Sequence, residues 1–172
     1  MEIVCIFAER LFAFRYPEEE DNEYDRLLNL WNDVEYVYNF LKENREDIPK
    51  DKDIRQVADH IIEDAEKIDK ILINIGAEDK TLSCFFRPLH NLETGARILS
   101  LQKGRESYLR IYAIKIDEHT FVITGGAIKL HHLMEEREHT KVELQKLHDA
   151  QAYLRENGVY DGVSFHELLN EN

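Results

Sequence analysis

Cysteine is nearly absent from this chain: Cys5 and Cys84 lie far apart in 172 residues, and neither has the paired spacing of a zinc or redox motif. Both sit in apolar runs, which predicts reduced, buried side chains and a cytoplasmic protein. No basic segment leads into an uncharged apolar stretch at the start, and no apolar run approaches the roughly 18 residues of a membrane span. Export and membrane insertion are therefore not expected. Three prolines and seven glycines are too few for a linker-rich chain, and nothing repeats. With 43% hydrophobic residues, a chain of this length can bury one core without a disulfide or a metal. The expectation is a single domain over residues 1–172, with no cofactor.

Positive charge is also scarce, at 22 Lys/Arg against 35 Asp/Glu, for a formal net charge of −13. Residues 1–80 hold 11 basic and 22 acidic side chains, and residues 133–172 hold 4 and 9. Only residues 81–132 reverse the sign, with 7 basic and 4 acidic. Nucleic-acid binding draws most of its affinity from phosphate neutralisation, so any such surface should come from this central segment. The acidic run Glu18 to Asp21 reads either as solvated loop or as a surface for a basic protein partner.

Hydrophobic periodicity divides the chain into a helical part over 18–80 and a sheet-and-helix part over 81–158. Ile3 to Ala8 and Leu11 to Tyr16 read as a strand pair broken at Glu9-Arg10. From Tyr24, Leu27, Leu28, Trp31, Val34, Tyr38 and Leu41 recur every three or four residues, giving one helix, or two if Asn32-Asp33 caps a second. Ile54, Val57, Ile61, Ala65, Ile68, Leu72 and Ile75 form the cleanest helical stripe, with Gly76 as its stop. The period then becomes alternating. Ile98 to Leu101, Tyr108 to Ile116 and Phe121 to Thr124 form a three-stranded meander, turning at Asp117-Glu118-His119, with Gly125-Gly126 at the strand exit. Thr140 and Glu143 have capping-box spacing, Gly158 closes the helix that follows, and a short helix begins after Ser164. The fold class is α+β: a small antiparallel sheet, built from the N-terminal strand pair and the meander, flanked by helices.

The order Arg87-Pro88-Leu89, then Leu109-Arg110-Ile111-Tyr112, then Phe121-Val122-Ile123-Thr124-Gly125-Gly126, then Ile128-Lys129 before a charged helix resembles the RelE/HigB-like toxins of bacterial type II toxin-antitoxin systems. The similarity covers about residues 85–158. It implies an antiparallel sheet with flanking helices, an antitoxin protein as partner, and cleavage of messenger RNA on the ribosome. Such cleavage needs an activated ribose 2′-OH and a stabilised phosphate charge. The resemblance puts Arg110 on a phosphate and makes Lys129 an RNA contact or charge stabiliser. Tyr112 and His131 are the further catalytic candidates, and Arg97, Lys103 and Arg105 the RNA-binding ones. The chain departs from the pattern at Leu101-Gln102, Ala127 and Leu130, where the family carries Arg, an aromatic and a second Lys. Loss of activity in an otherwise retained fold is therefore part of the expectation.

Other chemistry is less well supplied. His131-His132 with Glu135, Glu136 and His139 suggests a metal, but no HExxH pattern or second cluster completes a site, and a solvated helix start is the favoured reading. Neither cysteine has an activating neighbour for nucleophilic catalysis. The alternative to an RNA-directed enzyme is a non-enzymatic module whose acidic helical half binds a protein.

Overall fold

The computed structural model describes residues 1–77, 85–88, 96–99, 107–130 and 138–171, with backbone alone for 75–77, 88, 96–99 and 138–140. Strand β1 (Glu2–Phe7) turns through Ala8 and Glu9, both at positive φ, into β2 (Leu11–Arg15), with which it pairs antiparallel. Three helices follow: α1 (Glu23–Asn32), α2 (Val34–Glu43) and α3 (Ile54–Ala77). Strands β3 (Phe86–Pro88), β4 (Ala96–Leu99), β5 (Leu109–Lys115) and β6 (Phe121–Ile128) then form an antiparallel meander, and α4 (Glu138–Glu156) and α5 (Gly162–Glu171) close the chain. The fold is α+β. The six strands form one sheet in the order β1-β2-β6-β5-β4-β3.

The sheet is mixed, not purely antiparallel, because β2 joins β6 in parallel, Leu11 opposite Phe121 and Ala13 opposite Ile123. The two alternating faces of β2 explain that position. Leu11 and Ala13 pack with Leu27, Trp31 and Ile61 under α1–α3, while Phe12 and Phe14 pack with Leu147, Leu154 and Phe165 under α4 and α5. A strand that reads as a continuous apolar run is covered on both sides, as here. β1 lies at the sheet edge, and this overturns the expectation for Cys5, which is exposed. Cys84 lies outside the described residues.

Local chemistry sets the helix ends. The Asn22 side chain accepts the Tyr24 and Asp25 N–H groups at 3.0 and 3.1 Å, and Asp33 accepts those of Glu35 and Tyr36 at 2.9 and 3.1 Å. Each cap satisfies donors that a helix start leaves open, so the stripe from Tyr24 is two helices. Three expectations are corrected. Helix α3 continues through Gly76 to Ala77, and α4 already begins at Glu138, so Thr140 and Glu143 form no capping box. Strand β6 runs past Gly125-Gly126 to Ile128, with the irregularity at Thr124, the extra residue between the Tyr112–Gly125 and Ala113–Ile123 pairs.

The two glycines are needed for space, not for a strand exit. A Cβ on Gly126 would lie 2.5 Å from the Arg110 carbonyl oxygen, 2.8 Å from Leu27 Cδ1 and 3.2 Å from Trp31 Cη2. A Cβ on Gly125 would lie 2.0 Å from the Glu143 carboxylate. Helix α1 thus brings an indole against the bare backbone of β6, and α4 brings a carboxylate. Gly126→Ala is expected to lower unfolding free energy by about 2 kcal/mol, since backbone and indole together leave the added methyl no room to relax. Urea denaturation of the variant beside wild type checks this; an unchanged midpoint would remove the packing argument.

Candidate functional site

Two charged assemblies meet the β5–β6 ladder. The first surrounds the stretch of β6 that its parallel partner abandons. Pairing of β2 with β6 ends at Ala13–Ile123, and β2 itself ends at Arg15, before Tyr16 and Pro17. Beyond that point side chains satisfy the polar groups of β6. Tyr16 Oη donates to the Thr124 carbonyl at 2.8 Å, and Glu143 Oε2 accepts the Gly126 N–H at 2.9 Å. A buried strand edge left unpaired would cost about 1–3 kcal/mol for each orphaned group.

Glu143 does not stand alone in this buried position. Arg26 donates to both oxygens of Glu23, Nε to Oε1 at 2.8 Å and Nη2 to Oε2 at 2.7 Å, and also lies 3.5 Å from Glu143. Lys146 Nζ lies 3.1 Å from Glu23 and 3.6 Å from Glu143, and 5.1 Å above the Tyr16 ring. Two carboxylates and two cations therefore share one site, with Glu23 only 1% exposed. Burial raises the Glu143 pKa, Lys146 opposes the shift and Glu23 adds to it. The same burial, with Glu23 and Glu143 adding to it, pushes the Tyr16 phenol well above its ordinary range. The quartet is neutral overall, every member is engaged, and its chemistry is that of a clamp between α1, β6 and α4.

The second assembly holds the residues singled out in the sequence. Arg110 stands opposite Ala127 in the ladder, and the Lys129 N–H donates to the Tyr108 carbonyl at 2.6 Å, just beyond the last strand pair. Arg110 Nη1 donates to the carbonyls of Ser107 and Leu109, both at 2.7 Å, which fixes one side of the guanidinium and leaves Nε and Nη2. Burial lowers the pKa of both cations; Arg110 lowers that of Lys129 further, while Tyr112 and Asp64 oppose the shift on Arg110. They are thus within electrostatic reach of one another. Among the described residues neither is ion-paired with a carboxylate. Two such cations can hold a phosphate or another oxyanion.

Of the remaining candidates only Tyr112 has a described side chain, and it is within electrostatic reach of Arg110. Tyr112 is 1% exposed and burial pushes its phenol pKa up, so it is sealed from any substrate. Arg97 lies in β4 opposite Ala113, with its side chain outside the described residues. His131, Lys103 and Arg105 lie outside them too, as do the side chains of His132, Glu135, Glu136 and His139. Among the described residues no group of three or more His, Cys, Asp or Glu side chains is placed to hold a metal. No helix there is long and apolar enough to cross a membrane.

The quartet escaped the sequence reading, although a signal existed. Glu23-x-x-Arg26 and Glu143-x-x-Lys146 repeat one i,i+3 pairing on two helices, the spacing that puts both charges on one helical face. Compared with known proteins, the chain matches no family model, no curated protein and no solved structure.

Because the folded state raises the Glu143 pKa above its ordinary 4.5, it holds that proton more tightly than the unfolded chain. Ionising Glu143 therefore costs folding free energy, and the cost grows as pH rises from 4.5 through the folded value. Glu143→Gln keeps an acceptor for Gly126 and should abolish that part of the pH dependence. Glu143→Ala should destabilise by about 3 kcal/mol at neutral pH, because Gly126 loses its acceptor and the two cations lose a counter-charge. Chemical denaturation of the three proteins between acid and neutral pH reads both effects; parallel pH profiles for wild type and Glu143→Gln would exclude the first.

Proposed function

We propose that the chain is a RelE/HigB-like protein acting on messenger RNA at the ribosome, as an endoribonuclease toxin or as an inactive descendant that keeps the RNA-facing surface. The observation that carries this reading is the pair Arg110 and Lys129. In a chain of charge −13, two partly desolvated cations stand at one ladder end, Arg110 acting on Lys129, with Asp64 in the field of Arg110 but no carboxylate ion-paired to either among the described residues. Like charges held together in this way favour an anion between them. The antiparallel meander that ends in β6 is the part of the fold that the resemblance covers, and it supports the same reading.

In cleavage, the 2′-oxygen attacks the adjacent phosphorus and the 5′-oxygen leaves. Arg110 holds a non-bridging phosphate oxygen through its free donors, and Lys129 offsets the charge that accumulates on the phosphoryl group. Tyr112, being sealed, takes no part in proton transfer. His131 is the candidate from the sequence for that role. An antitoxin partner belongs to the same proposal.

A second reading, the acidic protein-binding module, is favoured by one feature. The outward carboxylates of α3 are matched within the helix, Asp59 by Arg55, Glu63 by Lys67 and Glu66 by Lys70. Glu18, Glu19 and Glu20, ahead of α1, are exposed and form no such ion pairs among the described residues. A basic protein partner would therefore dock on this loop rather than on α3.

Induced expression of wild type in a bacterial host should arrest growth, and Arg110→Ala/Lys129→Ala should not. In a purified ribosome-dependent assay the double variant should lose about 10²-fold or more in cleavage rate, the usual cost of removing donors to a developing oxyanion. Equal cleavage by both proteins would remove Arg110 and Lys129 from the chemistry. Absence of both arrest and cleavage in wild type would move the reading to the descendant or the binding module.

A further inference from the structure

The acidic helical half keeps a basic cleft. Lys42, Arg45, Lys50, Lys52 and Arg55 line one open concavity of about 730 Å³ between the end of α2, the single helical turn at Arg45–Asp47 and the start of α3. These are five of the eleven basic residues in the first 80, gathered within one short stretch. Two acids, Glu46 and Asp53, share the lining. Asp53 is turned to the start of α3, where its Oδ1 accepts the Gln56 N–H at 2.8 Å. Arg55 lies 4.0 Å from Asp59, while Lys42, Arg45 and Lys50 form no ion pair among the described residues. The half of the chain that sums to −11 thus turns a net positive surface inward at this one concavity. Tyr38 lies half-buried at its side.

We propose that this cleft binds single-stranded RNA, with phosphates on Lys42, Arg45 and Lys50 and a base against Tyr38. The inference deepens the RNA reading above and rests on it for the nature of the ligand. Cations along an open groove beside a half-buried aromatic are what a flexible phosphodiester strand requires, since the charges follow the backbone and the ring accepts any base. The spread of Lys42, Arg45 and Lys50 along one open concavity favours a strand over a lone nucleotide. Lys52 Nζ lies 3.2 Å from Tyr108 Oη and 5.5 Å from the centre of its ring, and the Tyr108 carbonyl receives the Lys129 N–H. The cleft and the start of the β5–β6 ladder are thus tied together through one buried residue, Tyr108.

The test is fluorescence anisotropy of a fluorescein-labelled oligouridine with the purified full chain, titrated between about 50 and about 200 mM salt. Three proteins are compared: wild type, Lys42→Ala/Arg45→Ala/Lys50→Ala, and Arg15→Ala/Lys70→Ala/Arg155→Ala, which removes as much charge outside the cleft. All six side chains are at least partly solvent-facing, and circular dichroism verifies that both variants fold. The cleft variant should bind at least tenfold more weakly at low salt. Its logarithmic salt slope should fall by about 2, from three lost phosphate contacts at about 0.7 each on single strands. The control should bind as wild type does. Equal weakening of both variants would reduce the effect to net charge and overturn the proposal, as would wild-type binding by the cleft variant. No RNA binding by wild type, with binding of a labelled polyglutamate instead, would assign the cleft to an acidic peptide. The assay contains no ribosome and leaves Arg110 and Lys129 in place, so loss of the cleavage proposal with retained, cleft-dependent RNA binding would leave this one standing.

Discussion

Strand β6 outruns its parallel neighbour, and the rest of the molecule is arranged around that mismatch. β2 stops at Arg15, while β6 continues through Gly125 and Gly126 to Ile128. The exposed edge is answered from two directions. Tyr16 and Glu143 supply the missing hydrogen bonds, and Trp31 closes over the glycine backbone from α1. A carboxylate placed inside a fold needs counter-charge, which draws in Arg26 and Lys146, and they in turn require Glu23. One unpaired strand segment thus fixes the positions of α1 and α4 on opposite faces. It also holds the end of the β5–β6 ladder where Arg110 and Lys129 lie.

What the sequence disclosed follows from how local each feature is. The stripe of α3, the cap at Asp33 and the turn after Lys115 depend on neighbours within four residues, and all can be read from spacing. The parallel β2–β6 junction depends on residues over a hundred positions apart, and nothing in either strand announces its partner. Gly125-Gly126 illustrates the difference. Read locally, the pair ends a strand, because glycine weakens strand interiors. In the fold it permits the strand to continue where a carboxylate and an indole approach. Glu143 was misread for the same reason. Its spacing from Thr140 is that of a capping box, but a buried Gly126 N–H is the donor it serves. Arg110 and Lys129 were singled out by the resemblance, and the register, with Arg110 opposite Ala127, sets them near one end of the same ladder. The burial of Tyr112 was not, since alternation gives a face but not the depth of what covers it.

The basic residues sort by what they touch. Arg26 and Lys146 are counter-ions inside the clamp, and Lys67 and Lys70 neutralise carboxylates along α3. These account for the ordinary structural use of positive charge in an acidic chain. Among the described residues Lys42, Arg45, Lys50, Arg110 and Lys129 have no ion pair; the first three line the cleft and the last two lie at the end of the β5–β6 ladder. Unpaired cations in a chain with an excess of acid are the reverse of a random distribution, because carboxylates are available on every side.

A net charge of −13 is no obstacle to such a surface. At physiological ionic strength the Debye length is about 8 Å, so carboxylates farther than that from the cleft contribute little to the field within it. The field that a bound phosphate meets is set by the nearest groups, and these are mainly cations. What the distant acid does impose is a slower encounter, since a polyanion approaching from solution meets repulsion before it reaches the basic end. Retention after contact and rarity of contact are separate properties, and this arrangement combines them. A partner that presents the polyanion already at short range, as a ribosome presents a message, removes the approach from the problem and leaves only the local attraction. For the RNA contact proposed above, a small cluster of lysines and arginines would then suffice, and the acidic body around it would limit binding to nucleic acid met elsewhere.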